Sequence, residues 1–263
     1  MSRECMDSVR QFKVEKGSVA LWWLGQMGYL IKTPAGTVLS VDPYLTNSCR
    51  KIGESMGLNM DRRAPVLIEP EELDVDHFLC THSHSDHADP ETIGRLRKQS
   101  IQSFVGPGMA CEVFLHCGVE EGRIQQVYPG AKQQVADITL HGTFAMPTDD
   151  SDLTHMGYVL AVEDGPRIYI SGDTDFSDLL SHVRKLEPDL MIACINGGFN
   201  NMSHWEAAAL AAILRPKAAI PCHYDMFPDN ATDPQQFRAA LRYQAPDVRY
   251  EQLDYVKPFV FKP

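Results

Sequence analysis

Residues 80–90 read CTHSHSDHADP, setting three histidines and two aspartates just beyond the apolar-leaning run His77-Phe78-Leu79-Cys80. Any one of these histidines reads best as a surface group. Four ligand-type residues at this spacing read as a metal site. On an extended segment, the side chains of His82 and His84, two positions apart, leave the same face. Two imidazoles pointing one way make half of a zinc- or manganese-type site. Asp86 and His87 lie where the chain turns toward a helix predicted from Pro90, and so face a second point in space. The spacing H-x-H-x-D-H therefore suits two adjacent cations, which sit about 3.5–4 Å apart in two-metal sites.

One loop cannot supply every ligand of such a pair. Two later segments offer more. The strand-like RIYIS at 167–171 runs into Gly172-Asp173-Thr174-Asp175, so Asp173 sits at a strand end beside a glycine that permits a tight turn. A carboxylate there can bridge two ions. Ala218-Ala219-Ile220-Pro221-Cys222 runs into His223, another strand end. Function collects at the carboxyl ends of strands in open α/β sheets. The remaining pattern agrees with that architecture. A hairpin is predicted for Tyr29–Ile31 and Val38–Val41 around Thr33–Gly36, and residues 44–70 form a long loop with room for a short helix. Strand–helix units follow at 102–117 and beyond, Gln134–Thr143 reads as one strand, and a strand pair at 157–162 and 167–171 flanks the turn 163–166. Helices are expected over 177–185 and 203–214, the latter opened by the capping box Ser203-His204-Trp205-Glu206. These elements suggest a layered α/β fold in one domain spanning residues 1–263.

Composition narrows the function classes. A net charge of −11 and the lack of a basic tract argue against nucleic acid as a partner. Seven scattered cysteines with no CxxC pair argue against a disulfide framework and favour a cytoplasmic protein. No apolar run is long enough to span a bilayer. A small-molecule substrate is the expected partner, and a homo-oligomer is possible.

The motifs THSHSDH (81–87), SGDTD (171–175) and IPCHYDMF (220–227), with the opening stretch LGQMGYLIKTPAGTVLSVDPYL, resemble the metallo-β-lactamase-fold superfamily. Within it the chain is most similar to the UlaG-type, L-ascorbate-6-phosphate lactonase-like hydrolases. The resemblance implies a four-layer αββα sandwich holding two divalent ions, Mn or Zn, with Fe also open. It implies that His82 and His84 hold the first ion, that Asp86, His87 and His223 hold the second, and that Asp173 bridges them. The third ligand of the first ion has no unique counterpart. His155, just before a strand, competes with His141, Asp149 and Asp150.

The implied chemistry is hydrolysis of an ester, lactone or phosphoester of a small metabolite by a metal-bridging hydroxide, which Asp86 orients. His84 stands where redox members of the superfamily carry glutamate, which favours hydrolysis over oxygen chemistry. His204, Tyr224 and His155 are candidates for protonating the leaving group. His204, Tyr224 and Asn200, with Asn201, are candidates for contacting substrate. His77, His116 and His182 are assigned to packing or surface. Two other readings are a non-catalytic metal- or partner-binding module and a phosphodiesterase or nuclease of the same superfamily.

Overall fold

The computed structural model describes residues 2–263. Strand β1 (Val19–Gly25) reads VALWWLG, and every one of its residues is buried. A run that is apolar on both sides must be covered on both sides. Val19, Leu21 and Trp23 pack in one hydrophobic cluster with the second sheet, whereas Ala20, Trp22 and Leu24 pack in another with Met6, Val9 and Phe114. The two-residue period of a strand thus divides β1 between two cores.

From β1 the first sheet continues antiparallel through β2 (Gly28–Lys32) and β3 (Val38–Val41). It then turns parallel through β4 (His77–Leu79), β5 (Ser103–Gly106) and β6 (Ile124–Gln126). The second sheet repeats the plan. Strands β7 (Lys132–Val135), β8 (Ile138–Phe144), β9 (Met156–Val162) and β10 (Arg167–Ile170) are antiparallel. Strands β11 (Leu190–Cys194), β12 (Ala218–Cys222) and β13 (Arg249–Tyr250) extend it in parallel. The last strand, β14 (Pro258–Phe261), returns to pair with β1. The helices are α1 (Ser2–Gln11), α2 (Cys49–Met56), α3 (Pro90–Arg95), α4 (Gly108–His116), α5 (His204–Leu214) and α6 (Pro234–Gln244). Side chains of α1, α3 and α4 cover the outer face of the first sheet, and those of α5 and α6 join the core of the second. The result is the four-layer αββα sandwich.

Two elements differ from the sequence expectation. Residues 134–143 form a hairpin, not one strand, because Ala136 takes a left-handed conformation (φ 51°) and Val135 pairs with Ile138 across it. That turn carries neither glycine nor proline, and Asp137 is its one turn-forming residue. Residues 178–186 form a 3-10 helix rather than an α-helix. The capping box at α5 is present in both halves: the Ser203 hydroxyl accepts from the Glu206 N–H, and the Glu206 carboxylate accepts from the Ser203 N–H at 2.8 Å. Among the described residues no helix is long and apolar enough to cross a membrane.

The topology brings selected chain positions to one edge. Asp42, His82, Asp173 and His223 each follow the carboxyl end of a strand, namely β3, β4, β10 and β12. Strand β9 runs antiparallel to β10, with Tyr158 opposite Ile170, so the residue preceding β9, His155, arrives at the same edge as Asp173. Gly172 makes the approach possible. Its φ is +62°, and a Cβ there would meet the Met156 carbonyl oxygen at 2.7 Å and the Thr81 Cβ at 3.0 Å. Gly172→Ala combines left-handed strain of about 1–2 kcal/mol with overpacking of about 1–3 kcal/mol. Denaturant unfolding is expected to show a loss of about 2–5 kcal/mol; a loss under about 1 kcal/mol would contradict this role for the glycine.

Candidate metal centre

The loop carrying the histidines is held from below by Asp42. This carboxylate is fully buried, and its backbone is left-handed (φ 45°). Its Oδ1 accepts from the Thr81 N–H at 2.7 Å. Its Oδ2 accepts from the Thr81 hydroxyl at 2.6 Å and from His87 Nδ1 at 2.8 Å. Three donors offset the cost of burying a charge. Asp152, also buried, does similar work from the side: it accepts from the Ser83 N–H at 2.8 Å and from the backbone and hydroxyl of Thr154 at 2.6 Å each. It thereby ties the segment of His82 and His84 to the segment of His155.

These contacts fix which ring nitrogen of each histidine faces the centre. The His87 Nδ1 meets a carboxylate oxygen, so it carries the proton. The Thr81 hydroxyl gives its proton to Asp42, so toward His82 Nδ1, 3.0 Å away, it can only accept. The His155 Nδ1 faces the Asp173 carbonyl oxygen at 3.3 Å and must donate as well. His82 and His155 therefore present an unprotonated Nε2, His87 Nε2 faces Asp173 Oδ1, and all three Nε2 atoms are buried without a hydrogen-bond partner, as is Asp173 Oδ1. Orphaned buried lone pairs aimed at one region are the signature of a cation site whose outer partners set the ring orientation. The donor set of imidazole nitrogen and carboxylate oxygen fits a divalent ion of the zinc or manganese type.

The donors fall into overlapping groups. His82, His84 and His155 can bring one ligand atom each within 4.8 Å of one another, and so can Asp86, His87 and His223. Asp173 joins His82 and His87 in a third such group, between the other two. Its Oδ1 lies 3.3 Å from His87 Nε2 without hydrogen bonding, and its Oδ2 lies 3.2 Å from His223 Nε2. Asp86 Oδ2 lies 3.2 Å from His223 Nε2 and 3.7 Å from His87 Nε2. The two groups differ electrostatically. Burial, reinforced by the neighbouring imidazoles, pushes the basicity of His82 well below that of a free histidine; burial also lowers His155. Burial would lower His87 and His223 too, but Asp173 and Asp86 outweigh it, and they raise His223 to about 9. The carboxylates thus favour positive charge at this point, whether a proton or a metal ion carries it. Burial alone would push Asp86 and Asp173 up, but His87 and His223 hold both well below the usual carboxylate range.

Gln26, which the sequence reading missed, and Asn201, expected only to contact substrate, complete the arrangement. Gln26, buried at the β1–β2 turn, donates from Nε2 to Asp86 Oδ2 at 2.8 Å, while its backbone carbonyl oxygen accepts from the His223 backbone N–H at 3.0 Å. Asn201 donates from Nδ2 to Asp173 Oδ2 at 2.7 Å and accepts at Oδ1 from the Thr174 N–H. A lone amide flanked by Gly25 and Gly28 in an apolar stretch, and a lone acid ending VLSVD, were the available signals for Gln26 and Asp42. Asp152 lies in the run DDSD and carries no distinguishing signal.

Not every predicted residue reaches the site. His141 lies within β8 opposite Lys132, far along the strand from this edge. Asp149 Oδ2 lies 3.4 Å from His84 Nε2 on the exposed rim, and Asp150 is exposed. Tyr224 stacks on Trp23 at 5.0 Å and lines a different depression, with Arg63 and Tyr255. Asn200, left-handed and exposed, gives its amide to the Thr148 carbonyl oxygen, and His204 opens α5; neither lines the cavity above the histidines. These three are corrections to the substrate-contact assignment. The strand-end proximity that suggested them does not specify on which side a side chain emerges. That cavity, about 490 Å³, is floored by His84, Asp86, Asp173 and His223 and reached by Asn201. His77 is buried against the Ser103 hydroxyl, whereas His116 and His182 are exposed.

Residues 20–223 match the family model of the β-lactamase superfamily domain, and the chain belongs to that family. Its relatives place it with the UlaG-like members of the metallo-β-lactamase fold. It is 31% identical to a UPF0173 metal-dependent hydrolase of Cupriavidus taiwanensis, over 86% of this chain and 81% of that one. It is 24% identical to the protein named "Probable L-ascorbate-6-phosphate lactonase UlaG" of Salmonella heidelberg, over 97% and 82% of the two chains. Among solved structures, Igni18, a metallo hydrolase of Ignicoccus hospitalis, superposes with a TM-score of 0.74 at 18% identity, covering 93% of this chain and 98% of its own.

Asp42→Asn keeps the size of the side chain but puts an amide N–H₂ where two donors now converge on Oδ2. Loss of such an outer partner costs about 10–100-fold in metal affinity. Competition against a colorimetric chelator is expected to show that drop for Zn²⁺ or Mn²⁺; unchanged affinity would contradict the role given to Asp42.

Proposed function

We propose that this protein is a metal-dependent hydrolase that cleaves an ester, lactone or phosphoester of a small metabolite within a single domain. His82, His84 and His155 would hold one divalent ion, Asp86, His87 and His223 a second, with Asp173 between them. Zinc and manganese both suit these donors, and iron is compatible. When bound, such ions supply Lewis acidity and make water acidic enough to attack at neutral pH. The observation that carries the reading is the set of partnerless Nε2 atoms on His82, His87 and His155, buried beside a cavity of about 490 Å³.

The chain's own residues have separable tasks. Asp86 stays ionised, so it is a weak base. Its role is to orient an attacking water and to balance charge, with one oxygen fixed by Gln26. Asn201 holds Asp173 and leaves Oδ1 of that carboxylate free to face the centre. The cavity admits substrate, whereas a purely structural metal site is closed by its ligands. That opening disfavours a non-catalytic binding module. A nuclease is disfavoured by the net charge of −11 and by a cavity that, among the described residues, is lined by no lysine or arginine.

Chelator-treated protein is expected to lose turnover of a responsive ester, lactone or phosphoester by at least about a hundredfold and to regain it with Mn²⁺ or Zn²⁺. Equal turnover in the metal-stripped protein would overturn the reading. Asp86→Asn is expected to lower kcat by about 10²-fold, the loss that follows from misplacing a reacting group, with KM changed far less; an unchanged kcat would remove Asp86 from the mechanism.

A further inference from the structure

Helix α2 is amphipathic in an unusual place. Cys49, Ile52, Gly53 and Met56 recur at i, i+3, i+4 and i+7, the spacing of a stripe that a helix buries against a core. Here all four line the cavity above the histidines, and Ile52 and Met56 remain 44% and 61% exposed. The opposite face carries Arg50 and Glu54, paired with each other at 3.0 Å. Leu58 and Met60, just beyond the left-handed Gly57 that ends the helix, extend the apolar wall, and Phe199, 45% exposed, faces the cavity from the second half of the chain. Gly53 lets this wall close up, since a Cβ there would fall 2.5 Å from Met60 Cγ. Scattered exposed apolar side chains are ordinary; several gathered around one cavity mark a ligand surface. Unbranched methionines suit a flexible apolar partner.

Charge points the same way. Apart from Asp86 and Asp173 of the metal-site floor, the cavity is lined by Asp149 and, among the described residues, by no lysine or arginine. The nearby arginines of the long loop are engaged elsewhere. The Arg62 guanidinium donates to the Tyr44 and Ala64 carbonyl oxygens and to the Tyr255 hydroxyl, and Arg63 pairs with Asp225 at 2.9 Å. An anionic group on the part of a substrate away from the reacting bond would lose water along the wall and find no cation there.

We infer that the cavity selects an uncharged carboxylic ester or lactone bearing an apolar arm, which lies along α2, Met60 and Phe199 while the carbonyl meets the histidine–aspartate floor. The inference rests on the hydrolase reading and narrows it to carbonyl substrates without a phosphate on the arm. Hydrolysis adds water across the acyl C–O bond: the carbonyl carbon gains the hydroxyl, the alkoxide oxygen gains the proton, and nothing is oxidised or reduced.

The test uses p-nitrophenyl esters of straight-chain acids from four to ten carbons with Mn²⁺- or Zn²⁺-loaded protein, and the matching primary amides as unhydrolysed probes in calorimetry. Both kcat/KM and amide affinity are expected to rise about two- to fourfold per added CH₂. An ester whose arm ends in phosphate is expected to fall at least tenfold below the alkyl ester of equal length. The double variant Ile52→Gln, Met56→Gln changes exposed side chains and should flatten both series. Turnover without chain-length dependence, or with preference for the phosphorylated arm, would overturn the substrate class while leaving the hydrolase reading intact. An amide series that rises with length while no ester turns over would uphold the apolar subsite and overturn the carboxylic-ester class. A flat amide series without turnover would overturn both.

Discussion

The buried carboxylate of Asp42 is the contact on which the site depends. It receives the backbone and hydroxyl of Thr81 and the Nδ1 proton of His87. In doing so it sets the start of the loop, orients one histidine directly and orients a second, His82, through the Thr81 hydroxyl. A charge buried this deeply is stable only with such a set of donors. Local geometry and buried charge therefore constrain each other here: the loop cannot relax without stripping Asp42 of the donors it is buried against.

The two sheets contribute unequally around that anchor. The first sheet supplies Asp42 and the run from His82 to His87, rigidly attached to β3 and β4. The second supplies His155, Asp173 and His223 from β9, β10 and β12. The centre thus lies where the two sheets meet at one edge, and each half contributes donors to each grouping. Such a site forms only when both sheets are packed against each other. The shared hydrophobic cluster, with Leu21, Tyr29 and Val41 from one sheet and Tyr158, Ile170 and Ile192 from the other, is what holds the donors in register. Gln26 adds a direct link between the halves, joining Asp86 of the first to His223 of the second.

Much of this was legible in the sequence, for identifiable reasons. The spacing of His82, His84, Asp86 and His87 is local, and the geometry of an extended segment followed by a turn converts it into two directions. Asp173 and His223 were readable because each ends an apolar run. His155 was less certain from sequence because it lies at the beginning of a strand. Its position follows once β9 and β10 are paired antiparallel through the turn at 163–166, which puts the start of one beside the end of the other. The positions of Tyr224, Asn200 and His204 could not be read, since the direction a side chain leaves a turn depends on tertiary packing: Tyr224 is drawn onto the Trp23 ring. The apolar stripe of α2 was hidden within a stretch lacking a clear period, because eight residues are too few to establish one.

Anomalous diffraction from crystals grown with Zn²⁺ or Mn²⁺ tests the central claim most directly. Ions are expected about 2.0–2.2 Å from donor atoms of His82, His84 and His155 and of Asp86, His87 and His223, with Asp173 shared between them. Anomalous peaks confined to other residues, or none at all in crystals whose histidine rings keep the present arrangement, would contradict it.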